Sequence, residues 1–338
     1  MKTTNQNRLH PRRSNSKEPV NRKSHNSPTQ TTSGHLSSPE VAVLGAAAVD
    51  WVARVEEMPP LDGISSAVEY TPVPGGSGGN VAEGIARLGH SVSFLGAVGD
   101  DEGGRLLLDA FVSAGVDTRF VRVENGQRSA ACFIAVDRRG QRMIFSLGGV
   151  ALFDRTADIS TDQLAGAKVL FITDAYQEVA QAAISCLATG GLVVFNPGGL
   201  MTASGMEGLR PILKRSDVLI VSRRESEQLT ESHSLEEAGR ILTRSGPKSV
   251  LITLGEDGVL VVHEAGNVLV PARKVAQVVD TTGAGDAFAA GVIAGLLEGI
   301  PLEKAARLGV EVAAHKIQHF GSRNGLPDRA QFNSWIYS

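Results

Sequence analysis

The sequence predicts an α/β protein built on a doubly wound, mostly parallel sheet that is flanked by helices and carries a small β-strand lid. Short apolar runs of strand type alternate along the chain with helix-patterned segments, the order typical of a doubly wound sheet. The hydrophobic fraction is 42% and only 20% of the residues are charged, which suits buried strands joined by many turns. Two β-type runs interrupt this alternation, and they predict the lid.

The first strand is predicted from residues 41–50, VAVLGAAAVD. This apolar run favours a buried strand that continues through Gly45 and places Asp50 at the carboxyl edge of the parallel sheet. After the stretch PGGSGGN, Asn80 opens a helix-patterned segment that stops at Gly89. The runs VSFLGAVGDD and GGRLLLDAFVSAG predict the next strand and helix.

The lid strands are predicted at about residues 64–74 and 129–147. The first stretch has β-type content, and the second contains two β-type runs around DRRGQ, the signature of a hairpin. Because a strand pair breaks the alternation of strands and helices, we expect residues 129–147 to lie in a flap outside the main sheet; the strand before Gly75 joins this lid through the family resemblance given below.

The second half of the chain repeats strand and helix units. Its predicted strands are KVLFIT, LVVFNPGG, DVLIVS, SVLITLG and the hairpin GVLVVHEAGNVLVPA, and its helices include YQEVAQAAISCLATGG and RESEQLTE. Ligands of doubly wound sheets bind beyond the carboxyl ends of the strands. The loops of interest therefore begin at Asp50, Thr173, Asn196, Ser222 and Thr253.

The N-terminal segment differs in composition from the rest of the chain. Residues 1–37 carry seven Lys or Arg and one acid, a net charge of +6, so the other residues carry −9 of the total of −3. Leu9 and Val20 are the aliphatic residues before His35, too few to form a core. We expect residues 1–38 to be a disordered, basic polar tail and residues 39–338 to form the folded domain.

Composition and charge also exclude several classes of protein. An acidic folded part with 5% aromatic residues argues against a nucleic-acid partner. Cys132 and Cys186 are too few for a disulfide framework or a zinc site. No apolar run has the length of a membrane span and no signal-peptide core is present. We expect a cytoplasmic protein, and an organelle transit peptide is the second interpretation of the basic segment.

The stretch DTTGAGDAF, residues 280–288, predicts an anion site at a helix start. Its glycines let backbone N–H groups converge where the helix N-terminus adds about half a positive charge, which suits a phosphate during transfer. Asp286 lies in the first turn beside that site, where a carboxylate can accept a proton from an attacking hydroxyl. The alternative is an ordinary N-terminal cap without a catalytic role.

A second glycine cluster, GGSGGN at residues 75–80, also lies at a helix start. It places backbone that a ligand can approach closely beside the side-chain amide of Asn80. Neither cluster has a Walker A lysine or the dinucleotide-binding glycine spacing. Two such loops in one α/β chain predict the two halves of one substrate cleft.

These motifs resemble those of the PfkB, or ribokinase-like, carbohydrate kinases. The resemblance is carried by GGSGGNVAEGIARLG, VGDDEGGR, TLGEDGVLV and DTTGAGDAFAAG, which occur in the expected order over about residues 41–330. It implies a doubly wound domain with a β lid that transfers the γ-phosphate of ATP to a hydroxyl of a sugar or nucleoside. A homodimer formed through the lid is also implied.

The resemblance assigns residues to the catalytic and substrate ends of the site. The anion hole consists of Gly283, Ala284 and Gly285, and Asp286 is the general base. The substrate hydroxyls bind to Asp50, Gly76, Asn80 and Asp174.

The same resemblance assigns the nucleotide and metal sites. The nucleotide contacts Thr253, Gly255, Gly258 and Ser222. Glu225 organises Mg²⁺ through water. A monovalent cation such as K⁺ is expected near Asp280, Thr282 and Gly321.

Two departures from the family pattern bear on function. Residues 222–225 are SRRE where the family usually has Asn-x-x-Glu, so Ser222 replaces the asparagine. Ser77 stands where many ribokinases have lysine, which argues against ribose as substrate. A sugar kinase is the leading interpretation, a nucleoside kinase on the same fold is the second, and a catalytically silent scaffold is the third.

Overall fold

The computed structural model describes residues 38–337. The strands are β1 Val41–Leu44, β2 Ala48–Val55, β3 Ala67–Gly75, β4 Val92–Leu95, β5 Ala97–Gly99, β6 Arg122–Glu124, β7 Ala131–Val136, β8 Arg142–Ser146, β9 Val169–Thr173, β10 Leu192–Asn196, β11 Val218–Ser222, β12 Ser249–Thr253, β13 Val259–His263 and β14 Gly266–Val270. The α-helices are α1 Ser77–Arg87, α2 Glu102–Ala114, α3 Thr161–Leu164, α4 Gln177–Cys186, α5 Gly198–Thr202, α6 Gly205–Leu213, α7 Arg223–Thr230, α8 Leu235–Arg244, α9 Ala284–Leu297, α10 Leu302–Lys316 and α11 Arg329–Ile336.

The main sheet has eight strands in the order β14-β13-β12-β11-β10-β9-β1-β4. Strands β4 to β12 along this order are parallel, and the β13–β14 hairpin continues the sheet in antiparallel fashion. All five residues of β9, VLFIT, are buried, as expected for a parallel strand covered on both faces. The predicted mostly parallel, doubly wound sheet is confirmed.

Helices cover both faces of this sheet. Val41 and Val43 of β1 point into a core formed with α1, α2, α9, α10 and α11. Ala42 and Leu44 of the same strand point into a second core formed with α3, α4, α6, α7 and α8. Alternate residues of one strand therefore pack against the helix layers on opposite faces of the sheet. This explains why the strands appear in the sequence as short, fully apolar runs.

The lid is a separate four-stranded sheet in the order β3-β2-β7-β8. Strands β7 and β8 form the antiparallel hairpin predicted around DRRGQ, and β3 lies within the other predicted lid stretch. Strand β2 pairs antiparallel with β3 and parallel with β7. The predicted lid is present, and β2 is an additional strand in it.

The prediction of one strand through residues 41–50 is wrong. The strand of the main sheet ends at Leu44, and the chain crosses at Gly45 into lid strand β2, which contains Asp50. At Gly45 a Cβ would lie 2.7 Å from the carbonyl oxygen of Thr173, so only glycine passes this close to the neighbouring strand. Asp50 therefore belongs to the lid, and does not lie at the carboxyl edge of the parallel sheet.

Helix α1 begins earlier than predicted. It starts at Ser77, so Asn80 is the fourth helical residue and does not open the helix. Gly78 lies inside the helix, where a Cβ would come within 2.9 Å of the backbone at Gly45. Close packing of α1 on the crossing between β1 and β2 explains a glycine that the sequence pattern assigned to a loop.

The described residues, 38–337, belong to one compact unit. Apart from Ser38, the predicted basic tail lies outside the described residues. Within residues 38–337, no helix has the length and apolar composition needed to cross a membrane.

Candidate active site

A cavity of about 390 Å³ lies between the lid and the carboxyl ends of the parallel strands. Most of the predicted site residues line it, namely Asp50, Gly76, Asn80, Asp174, Ser222, Glu225, Thr253, Thr282, Gly283, Ala284, Gly285 and Asp286. The predicted residues that do not line it are Gly255, Gly258, Asp280 and Gly321. The two glycine clusters, far apart in sequence, are thus brought to one cavity.

The Gly283–Gly285 segment forms the start of helix α9. Gly283 is the N-cap with φ of 76°, and a Cβ there would lie 2.4 Å from the carbonyl oxygen of Ser322. Gly285 differs, because nothing lies within 4 Å of where its Cβ would be. The first-turn N–H groups of a helix have no intrahelical acceptor. Here the N–H of Ala284 donates to the carbonyl oxygen of Thr281 at 3.1 Å. The next N–H groups of the turn, those of Gly285 and Asp286, belong to residues that line the cavity and can bind an anion.

Asn80 joins the two glycine clusters through its amide. Its Nδ2 donates a hydrogen bond of 2.7 Å to Oδ2 of Asp286, in the first turn of α9. Its Oδ1 accepts a 2.9 Å hydrogen bond from Nε of Arg323. Because a guanidinium only donates, this bond fixes which end of the amide faces Asp286. Asn80 therefore orients the candidate base.

Arg323 is held in turn by the start of α1. Its Nη1 pairs with Oε2 of Glu83 at 3.1 Å, and its Nη2 donates to the carbonyl oxygen of Gly75 at 2.8 Å. The guanidinium also lies 5.2 Å from the ring centroid of Phe111. With 5% of its surface exposed, Arg323 is a buried, fully partnered cation behind the cavity.

Asp50 and Asp174 approach the cavity from opposite sides. Asp50 extends from the lid and lies against Gly75, where any Cβ would clash with its carboxylate. Asp174 directly follows β9 in the left-handed conformation, with φ of 43°, and its carboxylate hydrogen-bonds Ser77. Such strain in a non-glycine residue clusters at functional sites.

Ser222 and Glu225 form a capping box at the start of α7. Oε2 of Glu225 accepts hydrogen bonds from the backbone N–H of Ser222 at 2.7 Å and from its Oγ at 2.8 Å. The backbone N–H of Glu225 donates to Oγ of Ser222 at 3.2 Å. The serine thus caps the helix. Glu225 lines the cavity, and because both bonds to its carboxylate use Oε2, its Oε1 keeps its capacity to accept hydrogen bonds.

The nucleotide-site glycines predicted after β12 have a structural role. Gly258 has φ of 102°, and a Cβ would lie 2.1 Å from the carbonyl oxygen of Val270 in the adjacent hairpin strand. Gly255 also has positive φ, at 63°. Of the four residues assigned to the nucleotide, Thr253 and Ser222 line the cavity, whereas these two glycines do not.

The residues predicted to bind a monovalent cation do lie close together, namely Asp280, Thr282 and Gly321. They lie beneath the Gly283–Gly285 segment, which is called the anion loop below. Oδ1 of Asp280 accepts from the backbone N–H of Thr282 at 2.8 Å, and Oδ2 accepts from that of Gly321 at 2.9 Å. Lys316 reaches the same place, where its Nζ donates to the main-chain oxygen of Asp280 at 2.9 Å. Sequence reasoning did not identify this lysine.

Comparison with known proteins agrees with this geometry. The model of the pfkB family carbohydrate kinases matches residues 38–329. The chain belongs to the pfkB family of carbohydrate kinases. Members of this family are ATP-dependent kinases, and the enzyme assignment made from the sequence is confirmed.

Two relatives and one solved structure illustrate the range of this kinase family. An uncharacterized sugar kinase of Archaeoglobus fulgidus is 34% identical over 72% of this chain and 98% of its own length. The ATP-dependent ribose-1-phosphate kinase of Halopiger xanaduensis is 32% identical over 78% of this chain and 88% of its own length. The structure of Arabidopsis thaliana ribokinase complexed with ribose and ATP has a TM-score of 0.77 at 25% identity, and the match covers 89% of this chain and 99% of that one.

Three carboxylates of the kinase cavity, those of Asp50, Asp174 and Asp286, are harder to ionise than ordinary carboxylates. Burial, together with the neighbouring charge of Asp286, raises the pKa of Asp50 to about 7 against the opposing charges of Arg323 and Arg142. Burial also raises the pKa of Asp286 to about 6, while the hydrogen bond from Asn80 lowers it. Desolvation likewise raises the pKa of Asp174. Perturbed carboxylates grouped in a cleft are typical of catalytic sites.

Three cations of the kinase were missed by sequence reasoning. Arg323 contacts Asn80 across 243 residues and Lys316 contacts Asp280 across 36 residues, and local patterns carry no signal for such contacts. Arg142 belongs to the lid hairpin and lines the cavity. Its position on the cavity face follows only once the register of β7 and β8 is known.

Proposed function

We propose that this kinase transfers the γ-phosphate of ATP to a hydroxyl of a sugar, with Asp286 as general base. The observation that carries the proposal is the position of Asp286 in the first turn of α9, beside the Gly283–Gly285 segment and oriented by Asn80. A base with pKa near 6 is ionised at neutral pH and can accept the proton of the attacking hydroxyl.

Gly285 supports the anion-hole assignment independently. It has neither positive φ nor a neighbour within 4 Å of a Cβ position, so neither backbone conformation nor packing requires glycine there. Close approach of a ligand to the backbone gives a reason for the missing side chain. The transferred phosphoryl group is a ligand that would use it.

The remaining cavity residues divide between two ends. At the substrate end, Asp50 of the lid and Asp174 after β9 offer carboxylates that can accept hydrogen bonds from sugar hydroxyls. At the other end, Thr253 and Ser222 are the last residues of the neighbouring strands β12 and β11, where the nucleotide is proposed to lie. We assign Gly76 to the substrate side, because it precedes α1 next to Asn80.

Magnesium is proposed to be organised by Glu225. Within residues 38–337, no group of three or more His, Cys, Asp or Glu side chains has the arrangement of a metal centre. That agrees with Mg²⁺ held mainly by ATP phosphates and water, since Mg²⁺ commonly keeps several waters and one or two carboxylates. The spare Oε1 of Glu225 fits such an outer contact.

The test is a panel of sugars and nucleosides with ATP, in which product phosphorylation is measured directly. The wild-type chain should phosphorylate at least one sugar, and Asp286→Asn should lower that rate by ~10²–10⁴-fold, the usual contribution of a general base. Asp162→Asn, at a carboxylate in the short helix α3 away from the cavity, is the matched control and should keep full rate.

If a nucleoside is phosphorylated in preference to every sugar, the acceptor is a nucleoside, which is the second candidate. Absence of transfer to any acceptor by folded protein, with ATP bound, would favour the catalytically silent scaffold. Wild-type turnover by folded Asp286→Asn would remove this residue as the base.

An acidic or phosphorylated sugar is favoured by one observation. Arg142 lines the cavity from the lid, and among the described residues it makes no ion pair or hydrogen bond. Its charge reaches both Asp50 and Asp286, so it lies close to where the acceptor is proposed to bind. The ribose-1-phosphate kinase among the relatives is named for a phosphorylated sugar. Arg142→Gln should then raise KM for the anionic sugar by ~10-fold or more and leave neutral sugars unaffected.

A homodimer through the lid stays a prediction. The outer face of the lid presents a stack of aromatic rings, with Trp51 and Tyr70 5.4 Å apart and Phe133 and Phe145 6.3 Å apart. Tyr70 and Phe145 are more than half exposed. Analytical ultracentrifugation of wild type and Tyr70→Glu would test it, since a lid-mediated dimer should dissociate in the variant.

A further inference from the structure

The loop that the family resemblance assigns to a monovalent cation is occupied by a side chain. Lys316, the last residue of α10, is fully buried with 0% of its surface exposed. Its ammonium donates to the main-chain oxygen of Asp280 at 2.9 Å. The positive charge at this loop is therefore part of the chain.

Most other polar groups of this loop are also engaged within the protein, although the buried Oγ1 of Thr282 has no hydrogen-bond partner among the described residues. Both carboxylate oxygens of Asp280 accept backbone N–H groups, from Thr282 and Gly321. The backbone N–H groups of Val279 and Asp280 both donate to the carbonyl oxygen of Ile317. An entering cation would have to displace or share the buried ammonium at Asp280, so the residues present do not fit a K⁺ site.

We propose that the Lys316 ammonium is a built-in cation that holds the anion loop, and that this kinase needs no K⁺. The proposal rests on the proposed kinase function only for its kinetic readout. Its basis is the contact of Lys316 with Asp280, which lies three residues before the N-cap of α9.

The physical reason is the connection from Lys316 to the anion hole. Residues 279–282 run along residues 316–321 through the hydrogen bonds described above. The same C-terminal stretch continues to Ser322, whose carbonyl oxygen lies directly against Gly283. A positive charge bound beneath this loop attracts its backbone oxygens and leaves the N–H groups of the first turn directed at the cavity. Lys316 acts as a positioning residue through the loop, without touching the substrate.

The first experiment uses the wild-type protein at constant ionic strength. Turnover of the sugar found in the panel is measured in KCl, NaCl and tetramethylammonium chloride, and the melting temperature is measured in the same three salts. We expect rates within about twofold and equal melting temperatures, since an ion stabilises a protein only if it binds the folded state. A saturable increase by K⁺ of about fivefold or more in rate, or stabilisation by K⁺ alone, would overturn the proposal.

Variants separate charge from packing. Lys316→Met keeps the length of the side chain without its charge and should lower kcat by ~10²-fold, the cost of misplacing reacting groups by about 1 Å. Lys316→Arg keeps the charge and should retain more activity than the methionine variant. Lys304→Met, on the exposed side of the same helix, is the matched control and should keep wild-type turnover.

A folded Lys316→Met protein with full kcat in tetramethylammonium would contradict the proposal. If it does not fold, the wild-type salt comparison still decides. Should no acceptor be phosphorylated, the kinase proposal fails on its own, and the melting temperatures in the three salts still test whether K⁺ binds.

Discussion

The two glycine clusters look alike in sequence and serve different purposes in the structure. Each has a glycine of positive φ at the N-cap of the helix that follows it, 84° at Gly76 and 76° at Gly283. In the first cluster, Gly78 lets helix α1 pack against backbone. In the second, Gly285 faces open space in the cavity. A glycine that packing requires indicates architecture, whereas one that nothing in the protein requires indicates a ligand.

The largest difference is expected from Gly285→Ala. The methyl group meets no protein atom, and alanine is about 1 kcal/mol better than glycine inside a helix, so the melting temperature should stay the same or rise. Phosphoryl transfer should nevertheless fall by ~10²-fold, because the group displaces the phosphate by about 1 Å. Steady-state kinetics and thermal unfolding measure both. Unchanged kcat would remove Gly285 from the anion hole.

Gly78→Ala should show the opposite behaviour. The methyl group would lie 2.9 Å from the backbone at Gly45, and overpacking of this kind typically costs ~1–3 kcal/mol. Denaturant unfolding should report the lost stability, while the folded fraction keeps most of its kcat. A stable Gly78→Ala variant with low kcat would mean that the first cluster, too, is shaped by a ligand.

Asn80→Ala breaks the connection between the clusters. The hydrogen bond from Asn80 lowers the pKa of Asp286, so its loss should raise that pKa above about 6. Because the base must be ionised, kcat/KM should fall as the pH decreases below the pKa of Asp286. This acid limb of the pH profile should move to higher pH in the variant. The lost bond is worth ~1.5–3 kcal/mol because its acceptor is charged. Asn267→Ala, on exposed edge strand β14, is the control. An unmoved acid limb would separate Asn80 from the base.

Asp50→Asn tests the lid side of the first cluster and has the smallest effect on stability. Burial raises the pKa of Asp50 to about 7, so the folded protein binds this proton more tightly than the unfolded chain does. That contribution favours folding at low pH and is lost as pH rises from about 4 to about 7. Removing the charge should stabilise the protein by about 1 kcal/mol at pH 7, because desolvation of the amide offsets part of the gain. Substrate KM should rise. A less stable variant would contradict the pKa shift.

Local patterns in the sequence predicted the alternating elements, the lid hairpin and the gathering of loops at the carboxyl edge of the sheet. They placed Asp286 correctly in the first turn of a helix, because the helix start and the glycines before it are adjacent in the chain; its role as base stays a prediction. They missed the crossing at Gly45, because strands β1 and β2 are both apolar. Periodicity does not show whether an apolar run forms a strand of the main sheet or of the lid. The buried partners of the site were missed for another reason. Asn80 meets Asp286 across 206 residues and Arg323 across 243, and only the folded chain brings them together.

The Arg323 contacts have a consequence for synthesis of the protein. The side chain that fixes the Asn80 amide belongs to the last sixteen residues of the chain, although α1, β3 and the lid are made much earlier. Closing a loop of this length is among the slow steps of folding, because its entropy is lost before the contact is gained. A nascent chain on the ribosome therefore has a sheet and a lid before it has an oriented base. Asn80 can be fixed only after the segment that follows α10 has docked, so a chain cut short after α10 is expected to be inactive, with the Asn80 amide unfixed.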